Sequence, residues 1–251
     1  MSLSRDLAAV ALGAACLGAP GPAAAQSRRL ISFWVIEPAP HPAGIRHLAG
    51  KDEVLRQRLL PAGLAELARA WSDPEVGELA AGMQLIEAST DAGAVYCEGD
   101  IREADSRGLL CFLDSDRDGR FESRFKTSSS TPALVMLSGK MPKAPRPLAE
   151  PLEYRTVSPK TSRIPAFVAI ERRNYFNIYS RENFTIAFGT GDEKKRITAP
   201  AGFKSADMPK EMTLLGARFT ALSETDGKMA IEVHQGMPAQ PFAVMSTTTY
   251  R

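Results

Sequence analysis

The sequence predicts a mainly β protein: an antiparallel β-sandwich or two small β lobes, with little helix beyond its first residues. Short runs rich in β-branched and aromatic residues recur from Met83 to the C-terminus. Turn residues punctuate them, as at Asp118-Gly119, Gly189-Thr190-Gly191-Asp192 and Asp226-Gly227. The segment with fair helical spacing, Asp52 to Trp71, carries Pro61 at its middle. A proline inside a helix costs about 3 kcal/mol, which disfavours one long helix; two strands or two short helices meeting at Pro61 both fit, and strands are the preferred reading.

Composition sets the outer limits. The chain has 251 residues, with 31 Lys and Arg against 29 Asp and Glu, a net charge of +2. Apolar residues make up 44% and charged residues 24%, a globular balance that argues against a disordered chain, a coiled coil or a collagen-like polymer. So even a charge argues against nucleic-acid binding through bulk electrostatics.

Residues 1–25 have the pattern of an export signal peptide. Arg5 precedes an apolar run from Leu7 to Ala19, Pro20-Gly21-Pro22 ends it, and Ala23-Ala24-Ala25 offers a small-residue cleavage site before Gln26. That run is shorter than the roughly 20 residues a membrane span needs. Cys16 follows Gly13-Ala14-Ala15, without the leucine a lipidation motif carries three places earlier. No later stretch is apolar and long enough for a transmembrane helix. The expected location is therefore the periplasm or the exterior.

Beyond the leader, Leu30–Ile36 reads as a first strand, and Pro38, Pro40 and Pro42 then hold the chain extended or turning. Further candidate strands are Met83–Ala88, Ala94–Cys97, Leu109–Leu113, Phe121–Thr127, Ala133–Leu137, Pro165–Ile170, Tyr175–Ser180, Phe184–Phe188, Met212–Ser223, Lys228–His234 and Phe242–Thr248. Residues 139–151 hold four prolines and few large apolar side chains. They suggest a linker or surface crossover between an N-terminal β domain, 26–138, and a C-terminal one, 152–251. The charge run Glu193–Arg196 reads as a solvated rim beside a turn. Phe167, Tyr175, Phe176, Tyr179, Phe184 and Phe188 read as β core in preference to a sugar-binding face.

Without the leader, two cysteines remain, Cys97 and Cys111. In an exported protein the expectation is a disulfide between them. Asp105-Ser106-Arg107-Gly108 supplies a turn that brings the flanking strands together. By loop entropy such a bridge contributes about 3 kcal/mol.

One constellation carries chemistry. Residues 114–122 read Asp-Ser-Asp-Arg-Asp-Gly-Arg-Phe-Glu. Asp114, Asp116 and Asp118 occupy positions 1, 3 and 5 of a loop, and Gly119 permits a sharp turn at position 6. The backbone carbonyl of Arg120 can supply a seventh-position ligand. Calcium takes six to eight oxygen ligands, so the pattern suits a structural Ca²⁺. The competing reading is a solvated acidic turn, neutralised by Arg117, Arg120 and Arg124.

The nine residues resemble the DxDxDGxxD loops that lie between β-strands in integrin α-subunit propeller repeats, with Glu122 at the ninth position. The resemblance implies a local calcium loop and, with a single copy, no propeller. An EF-hand fits less well, since its twelfth position would be Phe125 and the flanks read as strands. The chain as a whole resembles exported proteins of bacterial envelopes.

Nothing marks a catalytic centre. His41, His47 and His234 lack zinc-ligand spacing, and a Gly-x-Ser-x-Gly elbow is absent. The expectation is an exported binding or structural module, more plausibly not an enzyme. The alternatives are a carbohydrate-active hydrolase of the envelope and an assembly or adhesion component, with an envelope protein or glycan as partner.

Overall fold

A computed structural model describes residues 29–99, 108–127, 133–137, 140–173, 183–199 and 202–244. The expected leader 1–25, the candidate strand Tyr175–Ser180, the turn residues 105–107 and the last residues of Phe242–Thr248 lie outside these segments. Within them the protein is mainly β, and its only helical elements are two 3-10 turns, Pro159–Thr161 and Ser205–Asp207.

Strands are numbered in chain order. A closed antiparallel barrel joins β10 (Arg120–Thr127), β11 (Arg146–Val157), β4 (Leu64–Leu67), β7 (Gln84–Ala88), β8 (Ala94–Glu98) and β9 (Leu109–Asp114). An open six-stranded sheet runs β14 (Glu193–Thr198), β13 (Phe184–Thr190), β12 (Ala166–Arg172), β3 (Glu53–Pro61), β1 (Trp34–Ile36), β18 (Pro241–Phe242). A four-stranded sheet orders β15 (Lys210–Leu214), β16 (Ala217–Thr225), β17 (Lys228–Gln235) and β2 (Ile45–Leu48). The small hairpin of β5 (Trp71–Asp73) and β6 (Gly77–Leu79) completes the set.

Side-chain alternation assigns each strand two faces. In the barrel, Leu67, Leu85, Tyr96, Leu110, Phe112, Phe121 and Leu152 form an interior cluster. The intervening residues, among them Ile86, Val95, Leu113 and Phe125, face outward into a second core. There they meet Trp34, Val168 and Phe188 of the six-stranded sheet and Phe219 and Ile231 of the four-stranded sheet. All three sheets thus share one apolar core.

Pro61 does divide two strands, β3 and β4. Residues 146–151 of the Pro-rich stretch form the first half of β11. The charge run begins β14, an edge strand on which Lys195 is exposed while Lys194 and Arg196 reach the buried Glu171 carboxylate of β12. Phe184 and Phe188 are fully buried in the core, while Phe167 packs with Ala169 and Ala187 in a separate small cluster.

Two expected strands are corrected. Met212–Ser223 is a hairpin, β15 and β16, turning at Leu215 and Gly216 with φ of 48° and 73°. Positive φ at both central residues matches the right-handed strand twist. Ala133–Leu137 forms a buried bend instead of a strand, with Ala133 at φ 68°. Side chains replace the ladder there: the Trp34 indole N–H donates to the Val135 carbonyl at 2.7 Å, and the Leu137 N–H donates to the Ser32 hydroxyl at 2.7 Å.

Candidate metal site

The acidic motif is the connection between β9 and β10. Asp114 ends β9, residues 115–119 turn, and Arg120 begins β10, with Ser123 opposite Leu113 beyond the loop. Glycine is required at two places. Gly119 sits at φ 91°, where side chains are strained. Gly93, on the neighbouring β7–β8 turn, lies so close to the loop that a Cβ there would stand 2.4 Å from the Asp114 carbonyl oxygen.

Asp114, Asp116, Asp118 and Glu122 each bring a carboxylate oxygen to within 4.8 Å of the others, a group able to hold a metal ion. Their surroundings differ. Asp114 is fully buried, Asp116 and Asp118 are exposed, and Glu122 is half-buried. Arg120 lies directly after the turn, where its carbonyl belongs to the strand entrance.

Asp114 organises the loop. Its Oδ1 accepts the N–H groups of Arg117 and Asp118, and its Oδ2 accepts the Gly119 N–H at 3.0 Å and the Tyr154 hydroxyl at 2.8 Å. A carboxylate has about four lone-pair directions, so protein donors fill all of them. The exposed acids keep more capacity: Asp116 accepts from the Asp118 N–H, and Asp118 from the Arg120 N–H at 2.9 Å. Glu122 closes the hairpin by accepting the N–H and hydroxyl of Ser115.

Burial alone pushes the Asp114 carboxyl up, but the Tyr154 hydroxyl and the three loop N–H groups outweigh it and hold it below the usual aspartate value. Burial, reinforced by the Asp114 charge, raises the Tyr154 phenol. Tyr96 is pushed up to about 12, first by burial and then by the charges of Glu87 and Asp114. Asp114 is therefore a charged anchor and Tyr154 a neutral donor at any ordinary pH.

Two of the three arginines expected to neutralise the loop are engaged elsewhere. Arg120 pairs with Glu153 at 3.2 Å. Arg124 is buried at the other end of the barrel, where it meets Asp73 at 2.6 Å and Glu75 at 3.3 Å. Arg117 lines a neighbouring cleft with Glu87 and Gly93.

The disulfide forms as expected. Cys97 on β8 and Cys111 on β9 are directly opposed in register, with an S–S distance of 2.00 Å, and both are fully buried. It ties β9, the strand that delivers Asp114, to β8.

Tyr154 and Gly93 were not found by motif reading. Tyr154 lies 40 residues from Asp114 and arrives only because β11 closes the barrel beside β10. Its ring stacks on Phe121 at 4.2 Å, which fixes the hydroxyl at the loop. The histidines are not gathered: His41 contacts the Pro42 carbonyl, His234 contacts Thr220, and His47 is exposed on β2. No helix among the described residues is long and apolar enough to cross a membrane. No protein-family model, curated protein or solved structure matches this chain.

Proposed function

We propose that this protein is an exported, β-rich binding or structural module of a bacterial envelope, and that its 114–122 loop binds Ca²⁺ as a structural brace. The observation carrying the calcium reading is the convergence of four carboxylates on a β-hairpin whose nearby Arg120 and Arg124 are already paired with other acids. Oxygen-only ligands favour a hard cation. Asp116, Asp118 and Glu122 supply carboxylates, and the Arg120 carbonyl supplies a further oxygen. Asp114 joins them only by releasing one of its donors. Export is supported by the leader pattern of residues 1–25 and by the disulfide, since such bridges persist in oxidising compartments.

The site lies on a structural hairpin, which favours bracing over catalysis. An ion that binds only the folded chain raises its melting temperature with concentration. The test is a thermal melt of the full chain in EDTA and in millimolar Ca²⁺, repeated with Asp116→Asn/Asp118→Asn. Tm should rise with calcium in the parent and stay flat in the variant. An equal rise in both would place the ion elsewhere.

A further inference from the structure

Where the four-stranded sheet meets the six-stranded one, an arginine stands without a counter-ion. Arg46, on the edge strand β2, reaches across to β3 and donates to the backbone carbonyls of Glu53 and Val54, both at 3.1 Å. Neighbouring carbonyls of a regular strand point to opposite sides, but β3 is bulged here. Ile170 of β12 faces Leu55 and Glu171 faces Glu53, so Val54 is an extra residue. The bulge lets one guanidinium take both carbonyls. Arg46 is half-buried, and among the described residues it makes no ion pair. Neutral acceptors hold its charge and use two of its five N–H donors.

A second arginine is fixed to the same residue. Arg56 donates to the Glu53 carboxylate at 2.9 Å, and its guanidinium lies 3.6 Å over the Phe167 ring. Glu53 thus holds Arg46 by its backbone and Arg56 by its side chain. Both arginines line an open cleft of about 460 Å³ with Glu53, Pro40, His41 and Pro42. Its one carboxylate already serves Arg56, so the lining carries a positive charge in excess. A charge drawn partly out of water is costly unless it is paired. We infer that the cleft takes a phosphate group, with Arg46 as its main contact and Arg56 as its second. Guanidinium N–H groups match the oxygens of phosphate and of carboxylate. Two guanidinium groups brought to one place favour phosphate, because its tetrahedral oxygens point in several directions and can meet both. A planar carboxylate fills a single fork.

This inference rests on the reading of the chain as a binding module and is independent of calcium, whose loop joins β9 to β10 in the barrel. The test is calorimetric titration of the full chain in EDTA at fixed ionic strength, with inorganic phosphate, glycerol phosphate and acetate as probes. Both phosphates should bind in the millimolar range, and acetate roughly tenfold more weakly. Tighter binding of glycerol phosphate assigns the site to a phosphate ester, and tighter binding of inorganic phosphate assigns it to the free ion. Arg46→Gln should weaken phosphate binding by roughly tenfold, the loss expected for one charged contact. Arg56→Gln, which leaves the carbonyl contacts of Arg46 in place, should weaken it too and keeps the test open if the first variant misfolds. Lys195→Gln, at an exposed position on β14, should bind like the parent. Absence of heat with either phosphate, equal binding of acetate, unaltered binding by Arg56→Gln, or an equal loss in Lys195→Gln would overturn it. Calcium binding without phosphate binding would overturn this inference alone, and the reverse would overturn the calcium reading alone.

Discussion

Four donors converge on the buried carboxylate of Asp114, three from its own turn and one from Tyr154. The Tyr154 hydroxyl thus stabilises the ion-free loop and competes with a cation for Oδ2. Tyr154→Phe should lower stability in EDTA by about 2 kcal/mol, the net worth of one hydrogen bond to a charged group. It should also enlarge the calcium-dependent rise in Tm, because an oxygen lone pair becomes available. A smaller rise would show that Tyr154 assists the ion instead of competing with it. A second residue tests the core. The Thr190 hydroxyl, at the end of β13, is buried without a hydrogen-bond partner. Removing an unsatisfied buried hydroxyl while keeping the side chain's shape relieves a desolvation penalty of about 1 kcal/mol or more. Thr190→Val should therefore raise the urea midpoint, and a lower midpoint would point to a bound water in that place.

The hairpin β9–β10 can be read from a short stretch of chain because its determinants are local. Three aspartates, a glycine and Glu122 fall within nine residues, flanked by the continuous apolar run of β9 and the phenylalanines of β10. Its fastening to the rest of the barrel is not local. Cys97 holds β9 to β8, Gly93 makes room for the loop, and Tyr154 caps it from β11. Replacing both cysteines with alanine should cost about 3 kcal/mol, the loop-entropy value for a closure of this length, measured by urea unfolding. A cost near zero would mean that strand pairing alone holds β8 and β9 together. The other elements show why sequence patterns succeed or fail. Asp226-Gly227 marks its hairpin because both residues adopt positive φ, 50° and 71°. Leu215-Gly216 does the same with a leucine, which no turn preference announces. Ala133–Leu137 is apolar because it is buried, yet its backbone polar groups are met by Trp34 and Ser32 and not by a neighbouring strand.

At the scale of the molecule, patterning identified the class but not the closure. Strand β3 imitated helical spacing because it is buried on both faces, so its apolar residues do not alternate. Strand β11 was hidden for the opposite reason: most of its residues are exposed, and it carries prolines. It nonetheless closes the barrel by pairing with β10 along part of its length and with β4 along the rest. Charge also acts globally. Burial raises the Glu171 carboxyl, but hydrogen bonds from Lys194 at 2.5 Å and Arg196 at 2.6 Å reverse the shift and hold it below 4.5, its ordinary value. Asp114 is likewise held below its ordinary 3.8. A carboxyl depressed on folding stabilises the native state fully above its unfolded value, and that contribution disappears as pH falls through the folded value. Stability should therefore hold from neutral pH to about pH 5 and fall below about pH 4, with a shallower acid loss in Glu171→Gln. Urea midpoints across this range check the sign, and a fall between pH 7 and pH 5 would contradict it.

Calorimetric titration of Ca²⁺ into the EDTA-stripped full chain tests the central claim most directly. The account predicts a single-site isotherm that disappears in Asp116→Asn/Asp118→Asn, while that variant keeps its fold by circular dichroism. No heat of binding in the parent chain, or an unchanged isotherm in the variant, would leave the 114–122 loop as an acidic turn held by Asp114 and Tyr154 alone.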